Sequence, residues 1–303
     1  MTAKRKAYVA AIIYAFVIGF SFMFVKVTLT VASPIDTLAH RFTIALIGIV
    51  IFIVFTQNKL KINKQDVARI LPLALLYPIA FFTFQVLGLA RISSTEAGII
   101  QAAIPIFTLV LASVILKEKA TREQLTFISL SVFGVIYMLF MNNGNASSEN
   151  LIGSGFILLS ACAASLYNVL ARKLTKQYSL MTLTYVMTLC GFVIFNGLAI
   201  GNHLINGTLL QFFKPFEHVD FVIAILYLGI LSSLITSYLS NYTLSILEAS
   251  KMSVFSNFAT LITILAGVIF LQETFHVYHL IGGIVIIIGV IGTNYFGHKR
   301  GAQ

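Results

Sequence analysis

The chain has 303 residues, of which 58% are hydrophobic and only 10% are charged, and its mean hydropathy is +0.95. This composition lies far outside the range of soluble globular proteins and excludes that class. The formal net charge of +10 does not indicate a nucleic-acid interface, because the basic residues are scattered between apolar segments and form no single patch with interleaved aromatic residues. We therefore expect a multi-pass membrane protein that contacts membrane lipid and has no nucleic-acid partner.

Apolar stretches of about twenty residues, the length of one bilayer crossing, recur along the whole chain. The first follows Lys4, Arg5 and Lys6, but it is longer than a signal-peptide core and no small-residue cleavage pattern ends it, so we expect it to be retained. A polar break from Asn142 to Asn150 separates five stretches from five others. The predicted spans are 8–30, 37–56, 69–90, 96–116 and 123–141 before the break, and 152–171, 179–199, 220–244, 251–271 and 277–297 after it.

The fourth and ninth predicted spans share a stripe of small and polar residues at spacings of three and four, which places each stripe on one helix face. A shift of 155 residues without a gap aligns the two stripes, and it also aligns Glu118 with Glu273 and Gly134 with Gly289. Because such residues are unfavourable against lipid, we expect both stripes to face other helices or a hydrated cavity, although close helix packing alone would also explain them. The stripes consist of Gly98, Gln101, Pro105, Thr108 and Ala112, and of Ser253, Ser256, Thr260, Thr263 and Gly267.

The distribution of Lys and Arg predicts the topology, because cytoplasmic loops retain these residues. With the N-terminus inside, sixteen of them fall in inner segments, against Arg91 and Lys214 in or beside the outer loops. Both termini are therefore predicted to lie on the cytoplasmic side of the cell membrane. Because each half has an odd number of spans, the second half enters the bilayer from the opposite side. The predicted fold is thus an all-α membrane protein of ten transmembrane helices, arranged as two inverted five-helix repeats over 1–141 and 152–303 with an external linker at 142–151.

These features resemble the EamA branch of the drug/metabolite transporter superfamily. The similarity covers nearly the whole chain, and it rests on the two repeats, on Glu118 and Glu273 at the ends of the fourth span of each half, on Arg41 in the sequence HRFTIALI, and on the sequence GFSFMFVK from Gly19. The resemblance implies a secondary transporter with two pseudo-symmetric halves around a central cavity. That cavity would be formed by the first, third and fourth spans and their mates in the second half.

The second half departs from this pattern at two places. No counterpart of Arg41 lies near Met187, and Thr260 replaces Pro105. We therefore expect the two halves to contribute unequally to the site.

The resemblance assigns ten polar residues as candidate substrate-binding residues. For any one of them, a helix-to-helix hydrogen bond is the alternative role. A lining of neutral hydrogen-bonding and aromatic side chains suits an uncharged or zwitterionic solute better than a multiply charged one. The candidates are Ser21, Tyr77, Gln85, Gln101, Ser165, Asn168, Tyr238, Asn241, Ser256 and Asn257.

Four ionisable residues fall near the outer ends of predicted spans, namely Lys26, His40, Arg41 and Glu96. Such residues are functional candidates because burying them in the membrane is costly, but their side chains could also extend to the headgroups. If His40 or Glu96 faces the cavity, it would take up a proton and couple transport to the proton gradient.

Glu118 and Glu273 are predicted to end helices, where a carboxylate is unfavourable to the helix dipole. Each is therefore expected to bond to the start of the next helix or to a nearby Lys or Arg. This arrangement favours a structural gating role over direct contact with the substrate.

Other chemistry is not indicated by the sequence. It contains no Gly-rich loop followed by Lys-Ser or Lys-Thr for ATP, and no nucleophile and base or metal-ligand set at membrane depth. His276 and His279 have the spacing of metal ligands, but no Cys or carboxylate accompanies them closely. We therefore expect no enzyme activity, no cofactor and no metal site.

The resulting prediction is a transporter that exports small organic solutes, such as amino acids or related metabolites, by alternating access. A channel-like facilitator and an exporter of drugs or toxic compounds are the alternatives. A channel would need a continuous polar pore lined by rings of charge or carbonyl groups.

Overall fold

The computed structural model describes residues 2–57, 60, 62–115, 121–142 and 148–298. Within these ranges all regular structure is helical, as predicted. Glu118 lies outside the described residues, so the expectation for it has no structural counterpart here. The first part of the chain forms α1 (Ala3–Thr28), α2 (Pro34–Thr56), α3 (Lys64–Ala74), α4 (Phe81–Leu89), α5 (Ser94–Gln101), α6 (Ile104–Ile115) and α7 (Arg122–Asn142). The second part forms α8 (Ser148–Leu174), α9 (Leu180–Asn206), α10 (Val219–Leu226), α11 (Thr236–Ile246), α12 (Ala249–Phe270) and α13 (Val277–His298).

Among the described residues, eight helical stretches are long and apolar enough to cross a membrane. The remaining two long helices, α7 and α13, are not among the eight. The eight stretches are 3–28, 34–56, 64–89, 94–115, 148–174, 180–206, 219–246 and 251–270.

Serine residues fix where several of these helices begin. The hydroxyls of Ser33, Ser93 and Ser179 each accept a hydrogen bond from the backbone N–H three residues further on, at 3.2, 3.0 and 3.0 Å. Such a bond satisfies one of the free N–H groups at a helix start. At the other end of α9, Gly207 adopts a left-handed conformation (φ +65°) and terminates the helix.

Two of the long helical stretches are interrupted at corresponding places. Between α3 and α4, the segment Leu75–Ala80 contains Tyr77 in an extended conformation (φ −142°, ψ 111°). Between α10 and α11, the segment Tyr227–Ile235 has wide π-helical turns. A shift of 155 residues carries 75–80 onto 230–235, inside the second segment. Broken helices at membrane depth are tolerated where they are buried in protein or border a cavity.

A third interruption has no counterpart. The stretch that starts with α5 breaks at Ala102 and Ala103, just before Pro105, whose backbone has no N–H to donate. The matching helix α12 runs without a break and has Thr260 in place of Pro105. The two parts of the chain therefore differ here, as the sequence predicts.

Helices of the first part of the chain, α1–α7, pack against helices of the second part, α8–α13. α1 packs along α11 and α12, α8 packs along α4 and α6, α2 along α9, and α7 along α13. In the last pair, a Cβ on Gly134 would lie 2.8 Å from Ile286, and one on Gly289 would lie 2.8 Å from Ser131. The same 155-residue shift converts positions 131 and 134 into 286 and 289, so one close contact is made twice with the partners exchanged.

Candidate functional site

A cavity lies where helices from both parts of the chain meet. Its volume is only about 30 Å³, which is room for about two water molecules. The cavity is therefore narrow in this conformation. The wall is formed by Tyr14, Ile18 and Phe22 of α1, Tyr77 and Phe81 at the first interruption, Gly98, Gln101 and Ile104 of α5 and α6, Ala164, Tyr167 and Asn168 of α8, and Ser256, Ala259, Thr260 and Thr263 of α12.

Four of the ten candidate substrate-binding residues line this cavity, namely Tyr77, Gln101, Asn168 and Ser256. They come from four separate helical stretches. The amide nitrogen of Gln101 donates to the hydroxyl of Ser160 at 3.1 Å. That hydroxyl in turn donates to the carbonyl of Phe81 at 3.0 Å, so Ser160 fixes the orientation of a cavity side chain.

Three other candidates are buried behind the wall and are held by the protein. The hydroxyl of Ser21 donates to the carbonyl of Ile18 at 2.7 Å within α1. The hydroxyl of Ser165 lies 2.7 Å from the carbonyl of Ala161 and 2.9 Å from that of Ile104, next to the break between α5 and α6. Asn241 accepts a hydrogen bond from the hydroxyl of Tyr167 at 2.9 Å. It therefore supports a cavity residue from behind.

The remaining three candidates also lie outside the wall. Gln85 and Asn257 are buried, and Tyr238 is 39% exposed on the surface of the bundle. Within the described structure, neither the oxygen nor the nitrogen of the Gln85 amide has a hydrogen-bond partner.

Sequence reasoning missed the part of the wall that α1 and Tyr167 form. Tyr14, Ile18 and Phe22 recur at intervals of four on α1, which was a detectable signal for one helix face. The ring of Tyr167 stacks on that of Tyr77, with centroids 4.7 Å apart. None of these positions except Tyr77 was among the ten candidates.

Thr260 and Thr263 of the predicted stripe also line the cavity. Their hydroxyls lie 3.0 Å from the carbonyl of Gly98 and 2.9 Å from that of Gly19. These two residues therefore tie α12 to α5 and to α1. Both roles considered for the stripe, helix packing and a cavity face, apply to them.

The two candidates for proton coupling do not line the cavity. His40 is buried among the rings of Phe212, Phe216 and Phe221, and its Nε2 lies 2.8 Å from the carbonyl oxygen of Phe212. The Glu96 carboxylate accepts from the backbone N–H of Ser93 at 3.3 Å and completes the cap of α5.

Lys26 does not need to extend to the headgroups. Its ammonium donates to the backbone carbonyls of Leu89 and Ile92, at 3.0 and 3.1 Å, just where α4 ends. A cation at this place satisfies free carbonyl groups and interacts favourably with the helix dipole.

Glu273 caps a helix, but not the one expected. Its carboxylate accepts from the backbone N–H groups of Ser94 and Thr95 at 2.7 and 2.8 Å, and from the Thr95 hydroxyl at 2.7 Å. The expected partner was the start of the next helix or a nearby Lys or Arg. The next helix is α13, whereas α5 lies far back in the sequence, and within the described residues no Lys or Arg forms an ion pair with Glu273. We call this arrangement of Glu273, Ser94 and Thr95 the Glu273 cap.

A glycine makes room for the Glu273 cap. A Cβ on Gly267 would lie 2.5 Å from a Glu273 carboxylate oxygen, 2.6 Å from the Ser94 hydroxyl and 2.7 Å from the Thr95 hydroxyl. The end of α12 and the start of α5 can therefore approach this closely only with glycine at position 267.

Arg41 is fully buried, close to the second helix interruption. Its Nε donates to the hydroxyl of Ser233 at 2.6 Å, and its Nη2 donates to the hydroxyl of Ser232 at 2.8 Å. The guanidinium lies over the ring of Phe82, 3.8 Å from the centroid. The side chain therefore points into the protein and not toward headgroups.

The sequence is similar to known transporters over almost its whole length. The model of the EamA-like transporter family matches residues 5–140 and again residues 151–295. The chain is 52% identical over 297 residues to the uncharacterized transporter YcxC of Bacillus subtilis, covering 98% of this chain and 95% of that protein. It is 28% identical over 192 residues to a protein of Chlamydia muridarum named an S-adenosylmethionine/S-adenosylhomocysteine transporter, covering 59% of each.

A solved crystal structure has the same fold. It covers 92% of this chain and 98% of its own chain, with a TM-score of 0.63 and 16% sequence identity. Together with the matches over both parts of the sequence, the high identity to a bacterial transporter establishes what kind of protein this is. The chain belongs to the EamA-like transporter family.

Proposed function

We propose that this multi-pass membrane transporter exports a small organic solute, with amino acids and related metabolites as the first candidates, by alternating access around the central cavity. The observation that carries the proposal is the cavity itself, which is narrow and whose polar side chains come from both parts of the chain. A site enclosed at the meeting point of two repeats is typical of secondary transporters.

We further propose ten transmembrane helices in two inverted repeats, 1–141 and 152–303, joined by an external linker at 142–151, with both termini in the cytoplasm. Three observations support this arrangement. The Lys and Arg distribution favours it, the helix interruptions recur after 155 residues, and the α7–α13 contact is made twice with exchanged partners.

In this topology the Glu273 cap lies on the outer side and closes the cavity there. Release of solute to the outside would require the end of α12 to separate from the start of α5. The three hydrogen bonds of the Glu273 cap then belong to the outward-closed conformation alone. Glu273 is thus assigned a gating role.

Counterflow into proteoliposomes tests the proposal. Vesicles loaded with unlabelled amino acids, S-adenosylmethionine, S-adenosylhomocysteine or toxic cations are mixed with trace labelled solute. Saturable accumulation of one class is expected. Flux that does not saturate and shows no counterflow would instead support the channel-like alternative, and accumulation of toxic cations alone would support the drug-export alternative.

Cavity variants link transport to the site. Gln101→Leu should lower the rate because it removes an amide that lines the cavity. Tyr238→Phe is the matched control, because Tyr238 lies outside the wall and is 39% exposed. Equal rates for wild type and Gln101→Leu would contradict the assignment of this cavity as the solute site.

Proton coupling through His40 or Glu96 would require a path from these side chains to the cavity. Transport by Glu96→Gln and His40→Gln in vesicles with an imposed pH gradient tests this. A dependence on the gradient that matches wild type in both variants eliminates the coupling role.

A further inference from the structure

Arg41 carries a charge that the described part of the protein does not neutralise. An arginine guanidinium stays protonated even when it is buried. No carboxylate of the described residues lies within 4.0 Å of it, and its Nη1 has no hydrogen-bond partner among them. Its contacts are two serine hydroxyls, the backbone carbonyl of Ser232 at 3.4 Å and an aromatic ring, which are dipoles and a quadrupole but not counter-charges.

A purely structural role does not explain this arrangement. Uncompensated charge inside a membrane protein is costly, and such residues mark substrate pathways or pair with charged ligands. A neutral side chain could tie α2 to the hydroxyls of Ser232 and Ser233 without that cost. The free Nη1 donor is the part of Arg41 that the helix contacts leave unused.

Two further buried polar side chains lie close to the Arg41 contacts in the sequence. Ser237 follows Ser233 by four residues, and Gln85 follows Phe82 by three. Both side chains are at least nine-tenths buried, and within the described residues the Ser237 hydroxyl and both ends of the Gln85 amide lack hydrogen-bond partners. Buried polar groups in folded proteins are normally paired, so this concentration indicates a missing partner.

Arg41 and Phe82 lie just behind the cavity wall. Phe82, which stacks under the guanidinium, has its ring 5.0 Å from the ring of Tyr77. Tyr77 lines the cavity and sits at the interruption between α3 and α4. A change of conformation at that interruption would therefore connect the cavity with Arg41.

We propose that Arg41 binds the carboxylate of the transported solute, with Gln85 and Ser237 completing a site for a single anionic group. The inference rests on the proposed function and adds a substrate class to it, namely monocarboxylates, including the carboxylate of a zwitterionic amino acid. Two parallel hydrogen bonds from a guanidinium match the two oxygens of a carboxylate. The site leaves the rest of the solute to the aromatic cavity.

The test compares amino acids with their carboxamides, which keep the size and the amino group but lack the negative charge. Ligands that bind the folded protein raise its unfolding temperature, so the full-length protein in detergent is titrated with L-leucine and L-leucinamide, L-phenylalanine and L-phenylalaninamide, and L-threonine and L-threoninamide. At least one acid is expected to stabilise wild type at about one tenth of the concentration that its amide requires.

Variants then assign the preference to Arg41. Arg41→Gln should remove the preference for acid over amide, and Arg41→Lys should keep a weaker one, because the charge remains but the planar fork is lost. Lys26→Gln is the matched control and should retain the full preference, because the Lys26 ammonium is already bonded to two carbonyls. A preference unchanged in Arg41→Gln would overturn the proposal.

If Arg41→Gln does not fold, the comparison of acid and amide with the wild-type protein still tests the proposal. Equal stabilisation by acid and amide, or no stabilisation by any acid, would overturn the inference. Each titration is carried out in sodium sulfate and is then repeated in sodium chloride, which tests whether a small inorganic anion occupies the site. Stabilisation by chloride that no acid can increase would assign the site to an inorganic anion, and would also overturn it.

Counterflow separates this inference from the proposed function. If wild type exchanges an acid and its amide equally well, the carrier function holds and the Arg41 assignment fails. If the acids stabilise wild type but no solute shows counterflow, the anion site holds and the carrier function fails.

Discussion

Glu273 is half-buried just after the end of α12 and Arg41 is fully buried in α2, and the protein holds these two charged side chains differently. The Glu273 carboxylate accepts three hydrogen bonds, two of them from backbone N–H groups at the start of α5. Arg41 donates to two side-chain hydroxyls and, at the longer distance of 3.4 Å, to the backbone carbonyl of Ser232, and one of its nitrogens has no partner in the described structure. Backbone groups at a helix end are fixed in place, whereas hydroxyls can rotate toward another acceptor.

This difference separates two roles for charge in a transporter. A charge whose hydrogen bonds are all supplied by the protein stabilises one conformation, and in our proposal the Glu273 cap stabilises the outward-closed one. A charged side chain with an unpaired N–H donor can bind a ligand through that donor without first breaking its hydrogen bonds to the protein. The predictions below test this distinction in order of decreasing expected effect.

Glu273→Gln should have the largest effect, because a neutral amide must place its NH2 group against an N–H of Ser94 or Thr95. We expect the closed conformation to lose about 3 kcal/mol, and labelling of a cysteine in the cavity to accelerate up to roughly a hundredfold. Ser256→Cys supplies the labelled position, in a background with Cys162→Ser and Cys190→Ser. A membrane-impermeant maleimide added outside measures the rate.

Glu149→Gln is the control for that experiment. Glu149 is an exposed carboxylate, paired with Arg91 at 3.1 Å, and such surface pairs contribute only about 0–1 kcal/mol. If both glutamine variants label at the wild-type rate, the Glu273 cap does not hold the cavity closed.

Ser233→Ala should have the second-largest effect, which is on the stability of the protein. It removes the hydroxyl that accepts from Nε of Arg41 and leaves a second donor of a buried cation unpaired, which we expect to lower the free energy of unfolding by about 2 kcal/mol. Thermal unfolding in detergent without added solute measures the change.

Ser237→Ala is the matched control. Ser237 lies one turn further along and is equally buried, but its hydroxyl has no partner in the described structure. Its removal should leave stability within about 0.5 kcal/mol of wild type. Equal losses in the two variants would mean that the Arg41–Ser233 bond contributes nothing specific.

The sequence predicted much of the helical framework, because hydropathy and capping are local properties. Position 37 was chosen as the start of the second span, and the helix begins at Pro34 after the Ser33 cap. Local sequence patterns could not identify the hydrogen-bond partners of Glu273. Thr95 lies 178 residues away along the chain, and a local pattern favours the helix that follows directly.

The candidate site was predicted only in part, and the helix interruptions are one reason. The candidates Tyr238 and Asn241 were assigned to the cavity on the assumption of a regular helix of 3.6 residues per turn, but π-helical turns run to Ile235 and change the phase of the helix beyond them. Tyr238 therefore lies on the surface, and Asn241 lies behind the cavity wall. Stripes on the uninterrupted helix α12 were predicted better, as Ser256 shows.

Gly267→Ala tests how tightly the Glu273 cap is packed. An added methyl group would lie 2.5 Å from the carboxylate, so the cap must shift, and we expect a loss of about 1–2 kcal/mol in thermal unfolding. Gly283→Ala on α13 provides the control, because a Cβ there meets no atom within 4 Å. Alanine favours a helix over glycine, so this control should be neutral or more stable than wild type. The same sign of change in both variants would show that the cap tolerates the methyl group.

The smallest expected effect comes from removing a hydrogen bond between two neutral side chains in the same region. It serves as a comparison for the variants that alter the hydrogen bonds of Glu273 and Arg41. Tyr167→Phe removes the hydroxyl that donates to Asn241 at 2.9 Å, which should lower the free energy of unfolding by about 1 kcal/mol. Tyr185→Phe is the control, because the Tyr185 hydroxyl makes no hydrogen bond within the described residues. If Tyr167→Phe destabilises the protein as much as Ser233→Ala, the charge on Arg41 adds nothing to its bond with serine. Arg41 would then serve only to join two helices and would not form an anion-binding site.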